Sequence, residues 1–183
     1  LVRVSSANTI STSFKIRRAA EEDAGPLAAL KVSVISESPF LLETASEVKD
    51  DPELMKRQIQ RLSDNGYFLV ADLGSELIGM LTFGRSEFLK IQHRGGLMTF
   101  VHKRYRRNGV GRSLLNAFLE AARKDPTLER LDISVMSENT SAISLYESLG
   151  FNAEGRRARA YKLPDGSYQD EIYMGLLLQH EFH

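Results

Sequence analysis

The chain has 183 residues, 42% apolar and 26% charged, enough for one buried core and too few for two ordinary domains, with a composition that excludes wholesale disorder and fibrous architecture. No apolar run approaches the roughly 20 residues that span a bilayer, and no charged-then-apolar secretory start is present, so a soluble protein with the cytosol as default compartment is expected. The absence of cysteine excludes disulfides, thiolate metal sites and a cysteine nucleophile, while 24 basic against 24 acidic residues disfavour a nucleic-acid coat or a polybasic membrane anchor.

Residues 1–13 are Ser/Thr-rich and read as a loose tail ahead of a single domain over residues 14–183. A short strand is expected from Phe14 to Arg18. The acidic turn Glu21 to Asp23 then opens a helix that repeats Leu27, Leu30 and Val34. Phe40, Leu41 and Leu42 form an apolar loop. Asp51-Pro52-Glu53 supplies a cap, a proline at the first helical position and a favourable dipole charge for a second helix to about Ser63, burying Met55, Ile59 and Leu62. Tyr67 to Ala71 and Leu77 to Phe83, separated by Gly74-Ser75, read as an antiparallel hairpin. Leu97 to Val101 is a continuous apolar run, expected to be a mid-sheet strand covered on both faces. A helix follows from Val110 to before Pro126, then a buried strand over Leu131 to Val135 and a short helix from Thr140 to Leu149 closed by Gly150. Two strands joined at Pro164-Asp165-Gly166 end the domain.

The neutral total hides a segregated charge. Between Phe88 and Leu119 lie Lys90, Arg94, Lys103, Arg104, Arg106, Arg107 and Arg112, with no Asp or Glu. Within it, a strand runs into Asn108-Gly109-Val110-Gly111 and opens a helix. Unpaired N–H groups at such a start, the helix dipole and the neighbouring arginines suit a diphosphate, although a surface turn with solvated arginines has the same sequence. A P-loop is excluded because Gly111 is followed by Arg112-Ser113 rather than by a Lys-Ser or Lys-Thr pair, and the dinucleotide fingerprint fails at Leu114. A second constellation, Asn139 to Phe151, sets Ala142, Leu145 and Leu149 on one helix face with Tyr146 beside it.

Taken together, Arg106-x-x-Gly109-x-Gly111 and Asn139-x-x-Ala142-x-x-Leu145-Tyr146-x-x-x-Gly150-Phe151 resemble, in order and spacing, the two cofactor motifs of the GNAT superfamily of acyl-CoA-dependent N-acetyltransferases. The stretch Asp165 to Asp170 with Met174 is similar to the bacterial subgroup containing small-molecule, amino-acid and polyamine acetyltransferases. The resemblance implies an α/β (α+β) fold: a mixed, mostly antiparallel sheet of six to seven strands flanked by about four helices. It implies acetyl-CoA as co-substrate. The strand ending at Phe100 and Val101 would take the pantetheine arm on its backbone, leaving N–H groups to form an oxyanion hole. Arg106, Arg107, Asn108 and Gly109, then Val110, Gly111, Arg112 and Ser113, would hold the diphosphate; Asn139 and Ala142 would contribute from the second motif.

By the same resemblance Tyr146 is the general acid for the leaving thiolate, with a phenol pKa of about 10 against about 8.5 for a thiol. The general base is open, since many relatives carry a carboxylate where this chain has Gly96. Glu87 or His93 could act through a water, Glu87 being otherwise a solvated loop residue and His93 a structural histidine. The acceptor is expected to be a primary amine of a small molecule or amino acid. The apolar loop Phe40 to Leu42 would lie near it, and Arg156, Arg157, Arg159 and Lys162 disfavour a polyamine and suit a carboxylate-bearing acceptor. Acetylation of a protein N-terminus and a non-catalytic acyl-CoA sensor are the alternatives. Neither nucleic acid nor membrane is an expected partner, and a homodimer is possible through an edge strand. His180-x-x-His183 lacks the pattern of a zinc helix, so no metal is assigned.

Overall fold

The computed structural model describes residues 13–179. Residues 1–12 of the expected tail, and the two C-terminal histidines, lie outside them.

Seven strands, β1 (Lys15–Arg18), β2 (Gly66–Asp72), β3 (Leu77–Arg85), β4 (Arg94–Val101), β5 (Arg130–Met136), β6 (Asn152–Lys162) and β7 (Tyr168–Leu177), alternate with four α-helices, α1 (Ala24–Glu37), α2 (Pro52–Asn65), α3 (Val110–Arg123) and α4 (Thr140–Glu147). The strands form one sheet in the order β1-β2-β3-β4-β5-β7-β6. The β1–β2, β2–β3, β5–β7 and β6–β7 pairs are antiparallel and β4–β5 is parallel, which is the mixed α/β architecture expected. Two compact units divide the described residues, one comprising 13–84 with Met98–Ala121, the other Arg85–Leu97 with 122–179.

In the first unit, local chemistry sets the elements. Asp51 accepts the Leu54 N–H at 2.8 Å, capping α2 just before Pro52. The face carrying Met55, Ile59 and Leu62 then packs with Leu27, Leu30 and Val34 of α1 against Phe68, Val70 and Met80 of the β2–β3 hairpin. Gly66 begins β2 directly after α2, and no larger residue fits there: a Cβ would lie 2.2 Å from the Phe83 carbonyl oxygen. At the hairpin turn Gly74 has φ +88° and donates to Asp72 at 2.6 Å. Asp72 and Asp23 are buried, and Arg17 holds both, donating to Asp23 at 2.6 and 2.8 Å and to Asp72 at 2.8 Å.

In the second unit, one face of the β5–β7 pair supplies the core. Leu131, Ile133, Val135 and Met174 are all buried on it. The opposite face is mixed: Ser134 is exposed opposite half-buried Tyr173, while Met136 and its partner Glu171 are buried. A register shift between Arg157 and Tyr161 interrupts β6, where Arg159 takes φ +52° and donates its N–H to Asp170 at 2.7 Å.

Candidate active site

The basic turn belongs to the first unit. After β4, Lys103–Tyr105 form a single 3-10 turn, anchored by the His102 N–H on the Ile78 carbonyl at 3.0 Å and by the buried Tyr105 hydroxyl, which donates to Glu76. That bond raises the Tyr105 pKa above the ordinary phenol value. Arg106 turns back to donate from Nε to the Val101 carbonyl at 2.9 Å. Arg107, at φ +65°, and Gly109, at φ +77°, then carry the chain through two left-handed steps into α3. The helical ladder starts with the Ser113 N–H on the Gly109 carbonyl at 2.9 Å, so the N–H groups of Val110 and Gly111 precede its first rung. Val110 is itself buried and Asn108 half-buried, while Arg107 and Arg112 reach the surface. Gly79 lets α3 come close: a Cβ there would stand 3.1 Å from Val110 and 3.2 Å from Leu114. The helix N-terminus is therefore fixed from beneath, with cations around it.

The strand before this turn departs from expectation. In place of cover on both faces, Met98 is 54% exposed, because an apolar run states only what a strand is able to bury. Phe100 is buried in the core with Phe68 and Met80, so only its backbone is available to a ligand. The β4–β5 register runs Arg94↔Arg130, Gly95↔Leu131 and Gly96↔Asp132, ending before Leu97.

The second unit holds the Tyr146 constellation. Asn139 caps α4, its Oδ1 accepting the Ala142 N–H at 3.3 Å. Helix α4 ends at Glu147, two residues short of the expected end, and Gly150 at φ +95° makes the turn. Tyr146 is 9% exposed, its ring meeting Phe151 edge-on at 5.6 Å, and its carbonyl accepts the Phe151 N–H at 3.1 Å. The phenol is thus held by its own loop closure.

Of the two candidates for the general base, Glu87 is exposed beside Phe88 and Leu89, which are 78% and 80% exposed. His93 is half-buried, and its carbonyl accepts the Glu129 and Arg130 N–H groups at 2.8 and 3.2 Å. Gly96 is exposed, and a Cβ there would find only the Asp132 carbonyl at 3.9 Å, so packing does not forbid a side chain. The neighbouring Asp132 carboxylate is held by Arg94 at 2.9 Å and Arg130 at 2.7 Å.

The late cations are more committed than their sequence implies. Arg156 pairs with Asp170 at 2.6 Å, Arg157 with Glu171 at 3.0 Å, and Arg159 stacks 4.0 Å over the Tyr168 ring. Glu171, Tyr161, Tyr173 and Ser134, none of them singled out by sequence, meet on the face opposite the β5–β7 core, the three hydroxyls around the buried Glu171 carboxylate. The i, i+2 alternation puts Gln169, Glu171 and Tyr173 on one face of β7, but nothing in the sequence marks Ser134 or Tyr161 as their neighbours, which strand pairing and the β6 register shift bring in. Among the described residues, no group of three or more His, Asp or Glu is placed to hold a metal ion, and no helix is long and apolar enough to cross a membrane.

The chain is 28% identical over 106 residues to the L-amino acid N-acetyltransferase of Escherichia coli (strain K12), covering 58% of this chain and 65% of that protein. It is 40% identical over 72 residues to the ribosomal protein bS18 alanine N-acetyltransferase of the same organism, covering 39% and 47%. It thus spans less than two thirds of either relative. An acetyltransferase of the GNAT family from Streptococcus pneumoniae superposes with a TM-score of 0.86 at 28% identity, covering 91% of this chain and 100% of that one. The model of the acetyltransferase (GNAT) family matches residues 35–151, and the chain belongs to that family.

Proposed function

We propose that the chain is an N-acetyltransferase that moves the acetyl group of acetyl-CoA to a primary amine of a small molecule or an amino acid by direct attack. The observation that carries this reading is the start of α3, where Arg107 and Gly109 take positive φ and the first-turn N–H groups stand among arginines. A diphosphate fits such a start, because backbone donors and the helix dipole need no side-chain rearrangement to receive it. The exposed Met98 of a central strand further supports a ligand that covers β4.

Acetyl-CoA supplies an activated thioester, and the residues of this chain supply donors and a proton. The backbone after Gly96, beyond the end of its pairing with β5, offers N–H groups to the carbonyl oxygen as it gains charge under attack. Tyr146, fixed by Phe151, gives its proton to the leaving thiolate. An acceptor arriving as an ammonium ion must first lose a proton; where none of the chain's groups takes it, an α-amino group with a pKa near 8 enters neutral often enough on its own. The likeness to the ribosomal protein alanine acetyltransferase favours a second reading, acetylation of a protein N-terminus.

Thermal unfolding with and without acetyl-CoA tests the first step. A hundredfold excess over Kd stabilises the protein by about 2.7 kcal/mol for one site. An unchanged melting temperature at millimolar acetyl-CoA overturns the reading.

A further inference from the structure

The face of β5, β7 and β6 opposite the β5–β7 core carries a group of polar side chains that the transfer chemistry above leaves without a task. Glu171 is 8% exposed, an unusual place for a carboxylate. Tyr161 donates to its Oε1 at 2.9 Å and Arg157 to its Oε2 at 3.0 Å. Both reach it because of the register shift in β6: Arg157 pairs with Glu171 and Tyr161 with Gln169, two residues apart on β7 but four apart on β6. Arg157 also lies 5.0 Å over the Tyr173 ring. Burial pushes the Glu171 carboxyl up, and the Tyr173, Tyr161 and Ser134 hydroxyls with the Arg157 charge outweigh it, leaving the group ionised below the ordinary value.

Two details distinguish this cluster from a structural ion pair. Gln169 is 4% exposed, on the same face as Glu171, and its Oε1 has no hydrogen-bond partner among the described residues, an unmet acceptor that costs free energy until a donor arrives. The pair is also lopsided: the Glu171 side chain is 11% exposed and that of Arg157 is 65% exposed. A buried carboxylate needs a cation nearby, whereas an exposed guanidinium can swing into water at little cost. The same face holds Gly96, through its register partner Asp132 and the strand pairing Asp132↔Gly175.

We propose that this cluster docks the ammonium group of the acceptor: Glu171 is its counter-charge, Gln169 Oε1 a neutral hydrogen-bond acceptor, Tyr161 and Tyr173 its walls, and Arg157 an internal cation that the substrate displaces. Three N–H donors of a primary ammonium match a carboxylate, an amide oxygen and one further oxygen, and the Tyr173 face already accommodates a cation. The inference deepens the acetyltransferase reading and rests on it for the identity of the amine as substrate. It assigns the acceptor class by its positive head rather than by a carboxylate.

The test is a titration of tyrosine-ring-labelled protein with n-butylammonium chloride, followed by NMR, with sodium chloride at equal ionic strength as control. The Tyr161 and Tyr173 rings shift saturably in the wild type. Glu171→Gln raises the Kd at least about tenfold, the loss of a charge-assisted bond, and Arg157→Gln, which removes the competing cation from an exposed position, lowers it several-fold. Rings that do not move beyond the salt control, a Kd unchanged in Glu171→Gln, or weaker binding in Arg157→Gln each overturn the proposal. Should Glu171→Gln fail to fold, the sign of the Arg157→Gln change decides alone. Butylammonium binding without any thiol release from acetyl-CoA sinks the acetyltransferase reading and leaves the ammonium site standing. Thiol release with unmoved rings does the reverse.

Discussion

Arg106 donates from Nε to the carbonyl of Val101 at 2.9 Å, tying the basic turn to the end of the strand that precedes it. The guanidinium therefore has a structural partner and an outward charge at once. Arg106→Ala removes both, and is expected to raise the Kd for acetyl-CoA at least about tenfold by calorimetry; Arg106→Lys recovers little, because an ammonium lacks the planar fork. An unchanged Kd in Arg106→Ala would place the diphosphate elsewhere.

Tyr146→Phe keeps the edge contact with Phe151 at 5.6 Å and removes only the hydroxyl. The expected result is a kcat lower by about one to three powers of ten, with the acetyl-CoA Kd within about twofold of wild type. Undiminished turnover assigns the proton to another donor.

Gly96 offers a constructive test. A Cβ at this position would meet only the Asp132 carbonyl, at 3.9 Å, so the first side-chain atom of Gly96→Glu displaces no neighbour, and loss of a strand glycine offsets part of any strain. Its melting temperature stays within about 3 °C of wild type. Its kcat/KM rises most below the acceptor's own pKa, where deprotonation limits the reaction. A folded variant with the wild-type pH profile would show that a carboxylate at this position does not serve as base.

The Arg17 cluster sets an acid sensitivity unrelated to catalysis. The Arg17 side chain holds the Asp23 and Asp72 carboxyls below the ordinary carboxylate value, against burial. A depressed folded pKa contributes stability that is complete above the unfolded value of about 3.9 and is lost as pH falls through the folded ones. Arg17→Met should therefore lower the melting temperature at pH 7 and flatten its decline below about pH 4. Parallel melting curves for the two proteins across that range would contradict the assignment.

Much of the fold is legible in the sequence because its signals are local. Asp51-Pro52-Glu53 marks the start of α2, and the observed Asp51 cap on Leu54 is the bond that sequence implies. The glycines at 74, 150 and 166, all at positive φ, mark three turns. The first three residues of β4 carry no such signal: Gly95 and Gly96 have low strand propensity, and pairing with Arg130 to Asp132 imposes the strand on them. The exposure of Met98 is equally silent, since apolar composition records what a strand can bury and not what covers it. At the site, the turn at Gly109 is legible by spacing, whereas the Glu171 cluster is not. It depends on β5, β6 and β7 lying side by side and on a register shift at Arg157–Tyr161, neither of which leaves a periodic trace. Charge misleads for a related reason: Arg156 and Arg157 look equivalent in sequence, yet their partners Ile172 and Glu171 place them on opposite faces.

The most direct measurement is the release of free CoA thiol from acetyl-CoA at pH 8 against a panel of L-amino acids, simple primary amines, polyamines and a peptide with an N-terminal alanine. Acetyl transfer to a small amine predicts saturable, amine-dependent release with at least one amino acid or small amine, abolished or greatly slowed in Tyr146→Phe. Release that never exceeds the amine-free rate for any member of the panel, in a protein that binds acetyl-CoA, would contradict it and leave a sensor in its place.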